Sequence, residues 1–402
     1  MQVVNILSKL SIVSICLVAL TLRAIWALLV SVEPVSDSFL YNAFAQNIAS
    51  GKGYAFPDGG LTVYWPVGTS AVYATLYHLF GVSFLPIVLF NLVIGTAIVL
   101  LSYAIALRYL GKPVATFAAL IVACWPILIQ FTTILASELI FIFLILAAIY
   151  VWGNKQCSPV LRAIVWGALI CAATYIRPTA LPLLLLFPLL SWLAESTFKQ
   201  SLIQLTIAVA TAAILFAPWV YRNHLIFNQF VLVSANGGVN LWMGNNPNTT
   251  GGYTELPDLQ FENEVVRDQY YKQQAMDFIL ENPTSYLKLI LKRAVITYKS
   301  ETIGIVWNGV LAKQLDSKRL LVLKLISTVF WWLVVIAACV GLYDLSRRKP
   351  LSWHHALFAV SAFFFVFPLL TVAQDRYHLP LNPFLAMFAA YGLLQRFKPQ
   401  LQ

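Results

Sequence analysis

Ten apolar runs decide what this chain can fold into. They are Leu10–Val30, Phe84–Leu107, Pro113–Phe131, Ala136–Trp152, Leu161–Ile176, Thr179–Leu193, Leu202–Tyr221, Leu320–Leu345, Trp353–Ala373 and Pro380–Leu394. The hydrocarbon core of a bilayer takes about 20 apolar residues as a helix, because each backbone amide in lipid must be hydrogen-bonded within its own segment. The predicted fold is therefore an all-α polytopic membrane protein with about ten transmembrane helices. Composition agrees, with 60% of the 402 residues hydrophobic and 10% charged, against roughly 25% charged in soluble domains. No small-residue cleavage site separates the first run from Glu33-Pro34, so that run reads as a span and not as a signal peptide. The net charge is +10, but the basic residues are scattered through short loops and form no nucleic-acid face. Cys16, Cys124, Cys171 and Cys339 sit in apolar runs and Cys157 in a short polar loop, which predicts neither a disulfide framework nor a cysteine metal site.

Lys and Arg in the short loops orient the spans. With the N-terminus inside, Lys9, Arg108, Lys112, Lys155, Arg162, Lys199, Arg347, Arg348, Lys349, Arg396 and Lys398 fall on the cytoplasmic side, and the short outer turns keep only Arg177 and Arg376. Both termini are then cytoplasmic, in a multi-pass protein of the plasma (inner) membrane. Of the 16 acidic residues, only Glu195 and Asp344 fall inside. Glu33, Asp37, Glu138 and Asp375 fall outside, at or near helix ends. Carboxylates that edge into a membrane usually mark a site, and four at one depth predict a common outer cavity. The chain divides into a transmembrane catalytic module (1–221, with a first outer loop at 31–83), a large outer loop (222–319) covering the cavity, and C-terminal transmembrane helices (320–402).

The first outer loop opens with an amphipathic pattern. With Ser36 as N-cap, Leu40, Phe44 and Ile48 recur at every fourth position, and Gly51 and Gly53 end the helix. Such a helix is predicted to lie in the interface with its apolar side in lipid. Asp37 falls in its first turn, where the dipole favours a negative charge, held still and facing water as a general base would be; the plainer alternative is that Asp37 only caps the helix. Thr69 to Phe80 reads as a second interfacial helix, ended by Gly81. In the large loop, Phe230-Val-Leu-Val233 is β-like, Gly237 to Pro247 reads as turn residues, and helical patterns cover Val265–Leu280 and Pro283–Tyr298. The last of these has a basic face of Lys288, Lys292 and Arg293. No internal repeat is present.

Several short motifs in order give the chain a family likeness. They are Asp37-x-x-x-Tyr41 with Ala45-Gln-Asn-Ile-Ala-x-Gly51-x-Gly53-Tyr54; Tyr64-x-Pro66-x-Gly68 with Leu79-Phe80-Gly81; Ser137-Glu138; Arg177-Pro178; Pro218-Trp-x-x-Arg222-Asn223 leading to Gly244-Asn245-Asn-Pro247; and Asp375-Arg376-Tyr377-x-x-Pro380. Together they resemble the GT-C glycosyltransferases of the protein-O-mannosyltransferase and aminoarabinose-transferase type, over nearly the whole chain. The resemblance implies an enzyme that takes a sugar from a polyprenyl-phosphate carrier, such as undecaprenyl phosphate, and passes it to a glycan, lipid or protein acceptor on the outer face. It implies that Asp37 sits at the catalytic centre. One departure stands out: the aminoarabinose transferases carry a lysine before the proline of the aromatic segment, where this chain has Trp65 before Pro66.

Such a transfer needs a base for the acceptor hydroxyl, a cation near the leaving phosphate and a groove for the prenyl tail. Asp37 is the predicted base. Glu138 is the second catalytic candidate, to hold the acceptor, orient Asp37 or pair with an arginine; its plain alternative is a favoured charge at a helix start. For the phosphate, Arg376, Arg177 and Arg222 are the candidates, because a guanidinium matches the anion with two parallel donors; the alternative for each is snorkelling toward headgroups. Tyr54, Tyr64, Tyr377 and Asn245 are candidate substrate contacts, with membrane-belt placement the competing reading for the first two. Two nearby carboxylates leave a divalent cation open, but no Asp-x-Asp occurs in the first loop and no metal ligand is assigned. Arg23 reads as structural. The competing functions are a polyprenyl-lipid transporter or flippase, a membrane scaffold or receptor, and a polysaccharide polymerase or ligase using a diphosphate carrier.

Overall fold

A computed structural model describes residues 10–194, 197–348 and 354–396. The ten predicted runs fall on helices Ile12–Leu29, Phe84–Leu110, Lys112–Ala123 continued by Pro126–Gln130, Glu138–Trp152, Pro159–Ile176, Leu183–Ala194, Phe198–Phe227, Ser317–Arg348, His354–Leu370 and Asn382–Arg396. Five are long and apolar enough to cross a membrane unaided, and the bent pair Lys112–Ala123 and Pro126–Thr133 makes a sixth. Among the described residues there is no strand, only an isolated bridge between Ala55 and Leu61. The chain is an all-α, multi-pass membrane protein. Lys9, Glu195, Lys349, Trp353 and Lys398, used above for orientation or run ends, lie outside the described residues.

Close backbone approach binds the spans where lipid removes the hydrophobic drive for helix association. At the crossing of Ser317–Arg348 with Asn382–Arg396, a Cβ on Gly341 would fall 1.8 Å from the Phe388 carbonyl oxygen. Only glycine fits there. The third span is broken by 54° before Pro126, which has no amide hydrogen to continue the helix. Arg23, fully buried in the first span, meets the break, donating from Nη1 to the carbonyls of Ala19 at 3.1 Å and Ala123 at 3.2 Å. Asn91 Nδ2 donates to Thr132 O at 3.1 Å and to Ile134 O at 3.4 Å. Irregular backbone at this depth requires such partners, and it leads directly into Ser137 and Glu138.

The loop segments differ from expectation in four ways. Helix Asp37–Ala49 turns its apolar face onto protein instead of lipid: Phe44 is fully buried, in aromatic contact with Tyr54, Phe56 and Trp65. The neighbouring helix Gly68–Phe80 supplies the covering surface, with Tyr77 donating to Asn42 Oδ1 at 2.6 Å and Ser70 to Tyr41 O at 3.3 Å. Second, the run predicted as turns folds as a helix, Gly237–Gly244, because its glycines permit contact: a Cβ on Gly244 would lie 2.0 Å from Thr371 O. Third, Phe230–Val233 forms no strand; Val231 and Val233 are buried instead, and the Val233 carbonyl accepts from Trp219 Nε1 at 2.8 Å. Helices Glu264–Glu281 and Pro283–Tyr298 match the predicted patterns, but Arg293 leaves the expected basic face and is buried, donating to Leu369 O at 2.6 Å and Gly244 O at 2.7 Å.

Candidate functional site

Asp37 follows a hard bend. Ser36 has φ 53° and ψ −128°, and the Val35 carbonyl accepts from the Ser38 amide at 3.1 Å, the geometry of a type II′ turn whose first central residue is ordinarily glycine. Ser36 stands at the N-cap as expected, yet its side chain makes no capping bond. The strained residue thus immediately precedes a carboxylate, a placement common at functional sites.

Three other charged side chains form a cluster that reaches Asp37 through Arg376. Glu138 begins its span, Arg177 is the C-cap of Pro159–Ile176, and Arg376 lies in the link between the last two spans. Arg376 donates from Nη2 to Asp37 Oδ2 at 2.6 Å and from Nη1 to Glu138 Oε1 at 3.4 Å. Arg177 Nη2 also donates to Glu138 Oε1, and its Nε to Ser137 Oγ at 2.8 Å. Glu138 is 1% exposed and lies behind the arginines, outside the cavity lining. Gln374 Oε1 accepts from Arg376 Nε at 2.7 Å, and the Arg376 guanidinium lies 4.1 Å from the centre of the Trp307 ring. Burial works against the charge on Arg376, but Asp37 and Glu138 outweigh it and push its pKa above the usual arginine value.

A cavity of about 390 Å³ opens beside this cluster. Asp37, Ser137, Arg177, Gln374, Arg376 and Tyr377 line it. The spans add apolar surface from Phe141, Pro182, Phe364, Phe367 and Pro368, and the loops add Tyr64, Trp65, Asn236, Asn240 and Tyr253. A cation over the Tyr64 ring, Arg267 at 4.8 Å, steadies that side chain.

The remaining candidates lie elsewhere. Tyr54 donates to Trp65 O at 3.1 Å and its carbonyl accepts from Arg222 Nη2 at 3.1 Å. Arg222 also donates to Thr62 O at 2.7 Å, so the two tie the first loop to the long seventh span. Asn245 donates to Leu241 O at 2.8 Å and Thr371 O at 3.1 Å, and its Oδ1 accepts from Arg293. Of the four carboxylates expected in one outer cavity, only Asp37 lines it: Glu138 stands behind the arginines, Glu33 pairs with Lys313, and Asp375 accepts from the amides of Thr302 and Ile303 at 3.2 and 3.1 Å. Sequence reasoning missed Trp307 and Gln374. Trp307 carries no motif, whereas Gln374 could have been suspected from its place two residues before Arg376. Among the described residues no group of three or more His, Cys, Asp or Glu side chains could hold a metal ion.

Residues 65–221 match the family model for dolichyl-phosphate-mannose-protein mannosyltransferases. No curated protein matches the chain. Among solved structures, an oligosaccharyltransferase from Archaeoglobus fulgidus in complex with zinc and sulfate superposes with a TM-score of 0.58 at 12% identity, covering 95% of this chain and 49% of that one. The oligosaccharyltransferase AglB from the same organism, in complex with an inhibitory peptide and a dolichol-phosphate, gives 0.57 at 14% identity over 96% and 50%. ArnT from Cupriavidus metallidurans bound to undecaprenyl phosphate gives 0.47 at 14% identity over 95% and 77%. The chain spans about half the length of the oligosaccharyltransferases it matches. The chain has the GT-C fold of membrane glycosyltransferases.

Proposed function

We propose that the chain is a glycosyltransferase that moves a sugar from a polyprenyl-phosphate donor to an acceptor hydroxyl on the outer face of the plasma (inner) membrane, both termini being cytoplasmic. The observation that carries this reading is the meeting of Asp37 with Arg376 across 339 residues of sequence, at 2.6 Å, in the wall of a cavity lined by apolar span residues and polar loop residues. A base, an anion-binding cation, an apolar surface for a prenyl chain and a polar surface for a sugar are the parts the reaction needs. The family model's description and the dolichol-phosphate in AglB support the donor class.

The chemistry is a direct displacement. The acceptor oxygen forms a bond to the anomeric carbon as the bond from that carbon to the phosphate oxygen breaks, with inversion. The acceptor's proton passes to Asp37, whose Oδ2 is held by Arg376, so Oδ1 is the oxygen offered to the hydroxyl. The electron pair leaves on the phosphate oxygen, where Arg376 and Arg177 stabilise the added charge. Glu138 serves behind them, keeping two cations side by side without repulsion. In this reading the guanidiniums supply the positive charge that a divalent cation would otherwise bring, since each carboxylate already has one oxygen engaged by arginine.

The test is transfer by purified protein from a panel of polyprenyl-phosphate sugars, wild type beside Asp37→Asn. Turnover or slow donor hydrolysis is expected to fall about 10²–10⁴-fold in the variant with its fold intact. Lipid movement across liposomes that ignores Asp37, without transfer, would establish a transporter instead.

A further inference from the structure

The link that carries Arg376 is locked to the large loop by buried polar groups that the displacement does not use. Asp375 Oδ2 accepts from Thr302 Oγ1 at 2.9 Å. Beyond it, His378 and Glu301 are both fully buried. His378 Nδ1 lies 2.7 Å from the Thr297 carbonyl oxygen, and Nε2 lies 3.1 Å from Glu301 Oε1. A carbonyl can only accept, so Nδ1 bears a hydrogen. Nε2 and a carboxylate would then meet as two acceptors unless one further proton lies between them. Trp125 Nε1 donates to Glu301 Oε2 at 2.9 Å, and Asn382 Nδ2 donates to Oε1 at 2.9 Å. Donors on both oxygens favour the carboxylate, which leaves that proton on Nε2. The His378 ring also lies against Trp331, tilted by 33° with centroids 4.1 Å apart, and an indole ring attracts a cation.

We propose that Glu301 and His378 form a buried imidazolium–carboxylate pair that positions Arg376. Glu301 and Trp307 belong to one segment, and His378 and Arg376 to the other. Tying Glu301 to His378 fixes the two segments against each other, and so fixes the guanidinium between the Trp307 ring and Asp37. Glu301 and His378 are positioning residues: neither lines the cavity. The catalytic meaning of this placement rests on the reading of Arg376 as a phosphate ligand given above.

The decisive experiment needs no substrate. Phenylglyoxal adducts formed on each arginine are followed by mass spectrometry in the full-length protein in detergent. In wild type Arg376, 6% exposed, is expected to react slowly, close to the fully buried Arg23 and Arg293. Glu301→Gln should speed modification of Arg376 by about tenfold through local opening, with Arg23 and Arg293 still protected. His378→Asn, a second variant should the first fail to fold, should do the same. Unchanged Arg376, or all three arginines speeding together, overturns the proposal. So does a ¹⁵N-histidine spectrum in which the His378 signal, identified by its loss in His378→Asn, is that of a neutral ring. Undecaprenyl phosphate titrated onto wild type tests the donor reading separately: no binding there would remove the donor class and leave the positioning of Arg376 to the modification result.

Discussion

Removing Glu138 should destabilise the protein far more than removing any surface carboxylate. In Glu138→Gln the shape is kept but the anion between two guanidiniums is lost. At an effective dielectric of about 20, attraction across the 3.4 Å from Arg376 to Glu138 amounts to roughly 5 kcal/mol, and the desolvation of both ions offsets part of it. Stripping one partner from a buried ion cluster costs about 3–5 kcal/mol. The Gln oxygen can still accept a bond and Arg177 is 16% exposed, so the expected loss lies near the lower end, about 3 kcal/mol. Glu33→Gln is the internal control, because its pair with Lys313 is 31% and 71% exposed and should contribute no more than about 1 kcal/mol. Reversible unfolding in SDS followed by circular dichroism gives both values. A Glu138→Gln protein within about 1 kcal/mol of wild type, or no worse than Glu33→Gln, would refute the argument that the arginines depend on this buried charge.

Other consequences follow from the same geometry. Transfer activity should survive EDTA, because guanidiniums already occupy Asp37 and Glu138; activity lost to chelation and restored by Mn²⁺ would contradict this. Gly341→Ala should cost about 1–3 kcal/mol in the same unfolding assay, since its Cβ meets a carbonyl, whereas Gly237→Ala, with nothing within 4 Å, should not. Ser36→Gly should hold or raise stability by relieving the bend before Asp37, and Ser36→Val should lower it by about 1–3 kcal/mol; the reverse order would mean that the bend is unstrained.

What the sequence by itself determined is the architecture. Apolar length is a property of each segment taken alone, so the ten runs and the two short helices near 37–49 and 68–80 could be located without knowing their neighbours, and Gly81 and Gly51 mark helix ends for the same local reason. The likeness of Asp37, Glu138, Arg177 and Arg376 to family motifs also named the four charges that meet. Tertiary structure alone decided what each does. Asp375 and Arg376 are adjacent in sequence, yet one holds the amides of a short helix and the other bridges two carboxylates, because neighbouring side chains in a tight link point to different partners. Tyr54, Arg222 and Asn245 make their hydrogen bonds away from the cavity lining for the same reason. The apolar face of Asp37–Ala49 shows the limit most plainly: periodicity predicts that a helix has a greasy side, but only the packing of Tyr54, Phe56, Trp65 and the helix Gly68–Phe80 against it turned that side inward. The pairing of Glu301 with His378 left no sequence trace, since it depends on a contact between residues separated by 77 positions.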